Sequence, residues 1–213
     1  MKHLDKRLTL VAGIFLLIIY LVGIAGISIS SLRSDFVDLT PYTLLLSAVI
    51  LFAFHRKWNF RFITAIVVIA LAGFWVEVLG VKTGVIFGGY SYGPVLGIKL
   101  KQVPLIIALN WLILIYCSYI IAGKIFRSAL PRLALTAALM VGMDVIMEPV
   151  AITLDMWTWE AVAPPLQNYA AWFGISFLFA GLLHYLKIEV VNPLAGYLFF
   201  YLVMFFGVLN LTV

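Results

Sequence analysis

The sequence predicts an all-α, polytopic integral membrane bundle of about seven transmembrane helices, with its N-terminus in the cytoplasm. Hydrophobic residues make up 65% of the 213 and charged residues only 11%, with a mean hydropathy of +1.15. That is far more apolar than a water-soluble domain of this size. Apolar runs of about 20 residues follow one another along the whole chain, which leaves room for one transmembrane domain, 1–213, and for no soluble one. The net charge of +5 comes from short basic clusters between those runs, the pattern of a topology signal and not of a nucleic-acid surface.

Seven segments are expected. The first, Leu8–Ser30, follows Lys2, Lys6 and Arg7 as a signal peptide would, but its apolar run is too long for one and is read as a retained helix. Gly13, Gly23 and Gly26 within it let neighbouring helices approach closely. The second, Leu39–Phe54, is short for a hydrocarbon core of about 30 Å. Phe62–Gly80, Pro104–Gly123, Leu133–Thr153, Asn168–Leu186 and Pro193–Leu211 complete the set, without a convincing internal repeat. The N-terminus and the loops around Arg56/Lys57/Arg61, Lys124/Arg127/Arg132 and Lys187 hold most of the cations; Arg33, Lys82, Lys99 and Lys101 lie on the other side. The positive-inside rule therefore sets the N-terminus in the cytoplasm and the C-terminus outside.

Two outer loops stand apart. One reads Phe87-Gly88-Gly89-Tyr90-Ser91-Tyr92-Gly93-Pro94; the other holds Asp155-Met156-Trp157-Thr158-Trp159-Glu160 and then Pro164-Pro165. Tyrosine and tryptophan at an interface ordinarily serve as anchors. Glycine interleaved with aromatics, on one side only, suggests loops folded back over a pocket.

Glu77, Asp144 and Glu148 lie inside apolar segments, where an acid costs roughly 2.5–3.5 kcal/mol on insertion scales. Asp144 and Glu148 are four positions apart and share one helix face, about 6 Å apart along it, with Met140, Met147 and Ala151 on the same stripe. With the expected topology, both acids, Glu77, Asn110, Trp111, Asn168 and Trp172 converge on the outer half. Pro149 leaves the carbonyl of Val145 without its helical donor, to be satisfied by a neighbouring helix or a water. In a low dielectric, two adjacent carboxyls do not both ionise readily and would hold a proton between them. Such an acid can protonate a carbon–carbon double bond, and carboxylate charge and aromatic faces would stabilise the cation. An interhelical hydrogen-bond network is the bland alternative.

Other chemistries find little footing. His3, His55 and His184 are too dispersed for a diiron oxygenase, and no glycine-rich phosphate loop follows a strand, so neither a metal nor a nucleotide cofactor is expected. Cys117 is single, so no disulfide framework forms. His55 and His184 are read as residues of the cytoplasmic interface. The last segment has no lysine for a retinal Schiff base, and there is no aspartate-rich diphosphate site.

On these residues the chain resembles the membrane-bound carotenoid biosynthesis family that includes the hydratases of gamma-carotene and of bisanhydrobacterioruberin. The matching stretches are Phe87-Gly-Gly-Tyr90-Ser-Tyr92 with Leu96-Gly97, Val103-Pro104 leading to Trp111, Asp144-Val-Ile-Met-Glu148-Pro149, Trp157-Thr-Trp159-Glu160, and Pro165-Leu-Gln-Asn168-Tyr-Ala-Ala-Trp172. They run in order from Glu77 to about Trp172. The family pattern usually has an aspartate where this chain has Glu148, which keeps the acid on a longer arm.

The resemblance implies hydration of a carotenoid, with water added across the terminal double bond of an acyclic psi end and no cofactor. Asp144 or Glu148 would protonate carbon two, and Glu77 with Asn168 would orient water for attack at carbon one. Trp111, Trp157, Trp159, Tyr90 and Tyr92 would shield the cation; Phe87, Asn110, Asp155, Asn168 and Trp172 complete the candidate substrate-binding set. The substrate would enter sideways from the bilayer of a prokaryotic plasma membrane. An end-group cyclase of the lycopene type would share the protonation step, and a lipid or pigment transporter or binding protein would also use intramembrane acids.

Overall fold

The computed structural model describes residues 2–189 and 191–213, with side chains described from residue 6. The helices are α1 (Lys2–Ser28), α2 (Arg33–Asp38), α3 (Thr40–Ala53), α4 (Phe60–Thr83), α5 (Ile106–Ile125), α6 (Ala129–Thr153), α7 (Leu166–Tyr185) and α8 (Ala195–Thr212). Every apolar segment read from the sequence becomes a helix. Six of them are long and apolar enough to cross a membrane. The exception is α3, whose 14 residues reach only about 21 Å. The chain is an all-α polytopic membrane protein.

Boundaries differ from the apolar runs where capping chemistry decides them. α4 starts because the Asn59 side chain accepts a hydrogen bond from the backbone N–H of Phe62 at 2.9 Å. It runs past Gly80 to Thr83 and ends at Gly84, whose φ of +64° turns the chain left-handed. This extension sets Glu77 about 9 Å below the helix end, deeper than an end at Gly80 would place it. The six-residue α2 was not expected.

The middle of the bundle is α5, which packs against α3, α4, α6, α7 and α8. It carries no polar face, the signature of a helix surrounded on all sides. α1 packs on α8, and α6 on α7. Outward-facing residues such as Leu71, Leu178 and Phe200 are exposed, as expected where the neighbour is hydrocarbon.

Among the described residues, four short strands decorate one end. β1 (Tyr90–Tyr92) pairs antiparallel with β4 (Trp157–Trp159), and β2 (Lys99–Leu100) forms a hairpin with β3 (Val103–Pro104). The two aromatic loops thus meet as a single ribbon; this is called the loop end below. At the opposite end the Asn192 amide donates to the Leu51 carbonyl at 2.6 Å, and Lys57 pairs with Glu189. The expected interface role of His55 needs correction: it is buried, its Nδ1 lies 2.8 Å from the Tyr116 hydroxyl, and its ring stacks on Phe62 at 3.8 Å. Three aromatic neighbours supplied by α4, α5 and the following loop draw it inward.

Candidate active site

Glu77, Asp144 and Glu148 are the buried acids among the described residues, exposed by 3%, 2% and 4%, and no described lysine or arginine is buried with them. All three line one small chamber beneath the loop end. Its volume of about 30 Å³ admits a water molecule. The helix face shared by Asp144 and Glu148 is confirmed by their common burial and common chamber.

Neutral donors, not cations, satisfy these acids. Trp111 Nε1 donates to Glu77 Oε1 at 2.9 Å, the Tyr92 hydroxyl to Oε2 at 2.8 Å, and the Tyr90 hydroxyl to the same oxygen. Trp157 Nε1 and Trp159 Nε1 both donate to Glu148 Oε2 at 3.0 Å. Asn168 Nδ2 donates to Asp144 Oδ2 at 2.7 Å. Glu77 is therefore held at both oxygens. Asp144 and Glu148 each have one oxygen that takes no hydrogen bond from a described residue.

The ribbon explains how distant residues arrive there. Its register sets Tyr90 opposite Trp159 and Tyr92 opposite Trp157. Because side chains alternate along a strand, these four share a face. The intervening Ser91 and Thr158 take the other face, with their hydroxyls 3.2 Å apart. One face of the ribbon thus ties the acid of α4 to an acid of α6. Gly80 makes room for it: a Cβ there would stand 2.5 Å from the Phe87 ring and 3.1 Å from the Tyr90 hydroxyl. Burial first, and the adjacent Glu77 carboxyl second, push the hydroxyls of Tyr90 and Tyr92 well above the usual phenol range. Both stay protonated and keep donating across the physiological range.

Trp172 stacks on Trp111 with ring centroids 4.1 Å apart, and Phe87 and Asn110 also line the chamber. Eleven of the thirteen expected site residues therefore line the chamber, and Trp111 stands behind them, bonded to Glu77 and stacked on Trp172. Asp155 does not: it is exposed in the turn after α6, with a φ of +54°, and its carboxyl does not line the chamber. The turn aims it away while the next strand carries Trp157 and Trp159 inward. Ile107 and Met147, which the sequence reading did not select as site residues, form part of the wall. Their apolar side chains looked like ordinary core. No group of three or more His, Cys, Asp or Glu placed to hold a metal ion occurs among the described residues.

Near Pro149, helix α6 continues unbroken, and Asn210 of α8 donates to the Ile146 carbonyl at 2.8 Å. A neighbouring helix thus reaches the turn beside the proline, one carbonyl along from the expected Val145. Val145 does not line the chamber.

Chamber and ribbon together fall within the part of the chain that comparisons address. A bisanhydrobacterioruberin hydratase from Haloarcula japonica is 30% identical over 116 residues, covering 51% of this chain and 40% of that protein. The matched stretch thus spans well under half of that relative. No solved structure matches. The family model for carotenoid biosynthesis proteins matches residues 39–212, from α3 through α8 and across all three acids, and the chain belongs to that family.

Proposed function

We propose that this protein is a carotenoid hydratase, which adds water across the terminal double bond of an acyclic psi end by acid catalysis. The observation that carries this reading is a chamber with three buried carboxyls, no buried cation among the described residues, and aromatic N–H and O–H groups aimed at two of the acids. Without a cation, ionising all three together is costly, so the set stores protons. The similarity to a bisanhydrobacterioruberin hydratase supports the same reaction class.

Roles follow from the hydrogen bonds. An ionised carboxylate only accepts, and Glu77 accepts three hydrogen bonds, so it serves as the fixed anion beside the developing cation. Asp144, which accepts one hydrogen bond where Glu148 accepts two, has an oxygen left open and holds the transferable proton. That O–H bond breaks as the proton joins carbon two, and the double-bond electrons leave a tertiary cation at carbon one. Aromatic faces shield the cation. A water oxygen then bonds to carbon one, and its extra proton returns to the open carboxylate. The sum is one water added, with the acid restored and no oxidant or cofactor consumed. Asn168 positions Asp144 by its 2.7 Å bond.

In this reading the N-terminus is cytoplasmic and the chamber lies in the outer half of a prokaryotic plasma membrane; the excess of cations at the other end supports that orientation. Expression in cells that accumulate lycopene or gamma-carotene, followed by mass analysis of the pigments, tests the reaction. A new pigment heavier by one water is the expected result. A cyclic product of unchanged mass would assign an end-group cyclase instead, and unchanged pigment would leave no hydratase.

A further inference from the structure

A second, larger cavity of about 260 Å³ adjoins the acid chamber. Ile107, Asn110, Met147 and Trp157 line both, so these four side chains form a common wall. Beyond that wall the second cavity extends among α1, α2, α3 and α8, and its lining is almost wholly hydrocarbon. The Tyr20 hydroxyl within it is already engaged with Ser47 at 3.0 Å, and Thr40, Thr43 and Asn110 are the other polar side chains on its wall.

The cavity is open on one side. Ile18, Val22 and Leu39 line it and are 52%, 51% and 49% exposed, which sets a mouth between α1 and the start of α3, facing lipid. Toward the loop end α2 closes over it. Phe36 seats so tightly on Gly26 that a Cβ there would stand 2.2 Å from the ring. The cavity is thus roofed by α2 and open to the bilayer.

We propose that this groove seats the polyene of the substrate: an acyclic isoprenoid chain slides in sideways between α1 and α3, and its end group passes the common wall to the acids. The proposal rests on the hydratase reading of the chamber. Size adds a consequence. A dry cavity of about 150 Å³ accepts a benzene, so 260 Å³ encloses about two isoprene units on the same scale and leaves the remaining chain in lipid. A carotenoid with two psi ends is therefore hydrated one end per encounter. Apolar recognition falls to α1, α2, α3 and α8, whereas the acids come from α4 and α6.

Filling the groove tests this. In Gly23→Leu the new Cβ meets the Phe205 ring at 3.2 Å and its branch occupies the groove. Leu39→Trp narrows the exposed mouth, through which a long polyene must stay threaded but a short isoprenoid passes whole, and needs no repacking of the core. Lycopene retained by the purified protein, product mass and thermal midpoint are measured for each variant and for Asp144→Asn. Asp144→Asn should retain lycopene, while both filling variants should lose roughly ten-fold or more of it, with an unchanged midpoint in Leu39→Trp. A short acyclic isoprenoid with the same end group should still be hydrated by Leu39→Trp, which a folding defect would not permit. If the filling variants retain and hydrate lycopene as the wild type does, the groove is wrong and the hydratase reading stands. If they lose lycopene but the wild type never adds water, the groove stands and the hydration reading falls.

Discussion

The two ends of the bundle both carry a cavity, and the contrast between them shows where the fold takes charge out of water. At the loop end three acids are buried inside the helices, and neutral indoles, phenols and an amide satisfy them. At the opposite end a cavity of about 1030 Å³ is lined by Lys6, Arg56, Lys124 and Arg132, none of them buried. Arg132 lies over the Tyr119 ring at 3.6 Å, an ordinary way to settle a cation at an interface. Charge taken out of water costs far more than charge at a boundary. The loop end bears that cost and the opposite end avoids it.

The sharpest way to break the contrast is to neutralise an acid on one side and a cation on the other. Asp144→Asn should lower formation of the hydrated pigment on the order of 10²–10⁴-fold, the range of a positioned general acid. Arg132→Gln should leave it within a few-fold, and quantifying both pigments by mass in the same host decides the matter. A smaller effect is expected from the ribbon. Trp157→Phe and Trp159→Phe each remove one of the two donors to Glu148 Oε2. A hydrogen bond to a charged group contributes roughly 1.5–3 kcal/mol, so turnover should fall by about ten-fold to a hundred-fold. The double variant should fall short of the product of the two, because both bonds end on one oxygen.

Tyr90→Phe should cost less, since Glu77 keeps its bonds from Tyr92 and Trp111. Turnover and thermal midpoint should both drop modestly, and heating in detergent with alkaline titration would show the latter. The buried phenols sit above their unfolded range, so the stability they carry is present below a pH of about 10 and is lost above it. The smallest effect belongs to the opposite end. Burial holds the His55 imidazole below its usual range, so the unfolded chain takes up a proton there before the folded protein does. Stability should therefore be full above a pH of about 6.5 and decline below it. His55→Gln should flatten that slope while hydration continues.

Much of this was legible in the sequence, and the exceptions have physical causes. Seven apolar runs gave seven helices because hydrocarbon forces the backbone to satisfy itself within each segment. Glu77, Asp144 and Glu148 were conspicuous because acids inside such runs are rare. The pairing of Tyr90 with Trp159 was not legible: strands of three residues, far apart in the chain, have no periodicity to reveal a partner. The groove was hidden for a different reason. Lining residues such as Ile19 and Leu44 look the same in sequence as those that face lipid. His55 was misplaced because its position at a segment end concealed three aromatic neighbours. Asp155 was included on the strength of its loop, and a left-handed turn sends it elsewhere.

Turnover in deuterated water tests most directly whether the chamber acids deliver a proton to carbon. The wild type should yield a hydrated pigment with one carbon-bound deuterium at carbon two, and Asp144→Asn should yield almost none. A hydrated pigment lacking deuterium at carbon two, or one formed undiminished by a protein stripped of Asp144, Glu148 and Glu77 carboxyls, would contradict it.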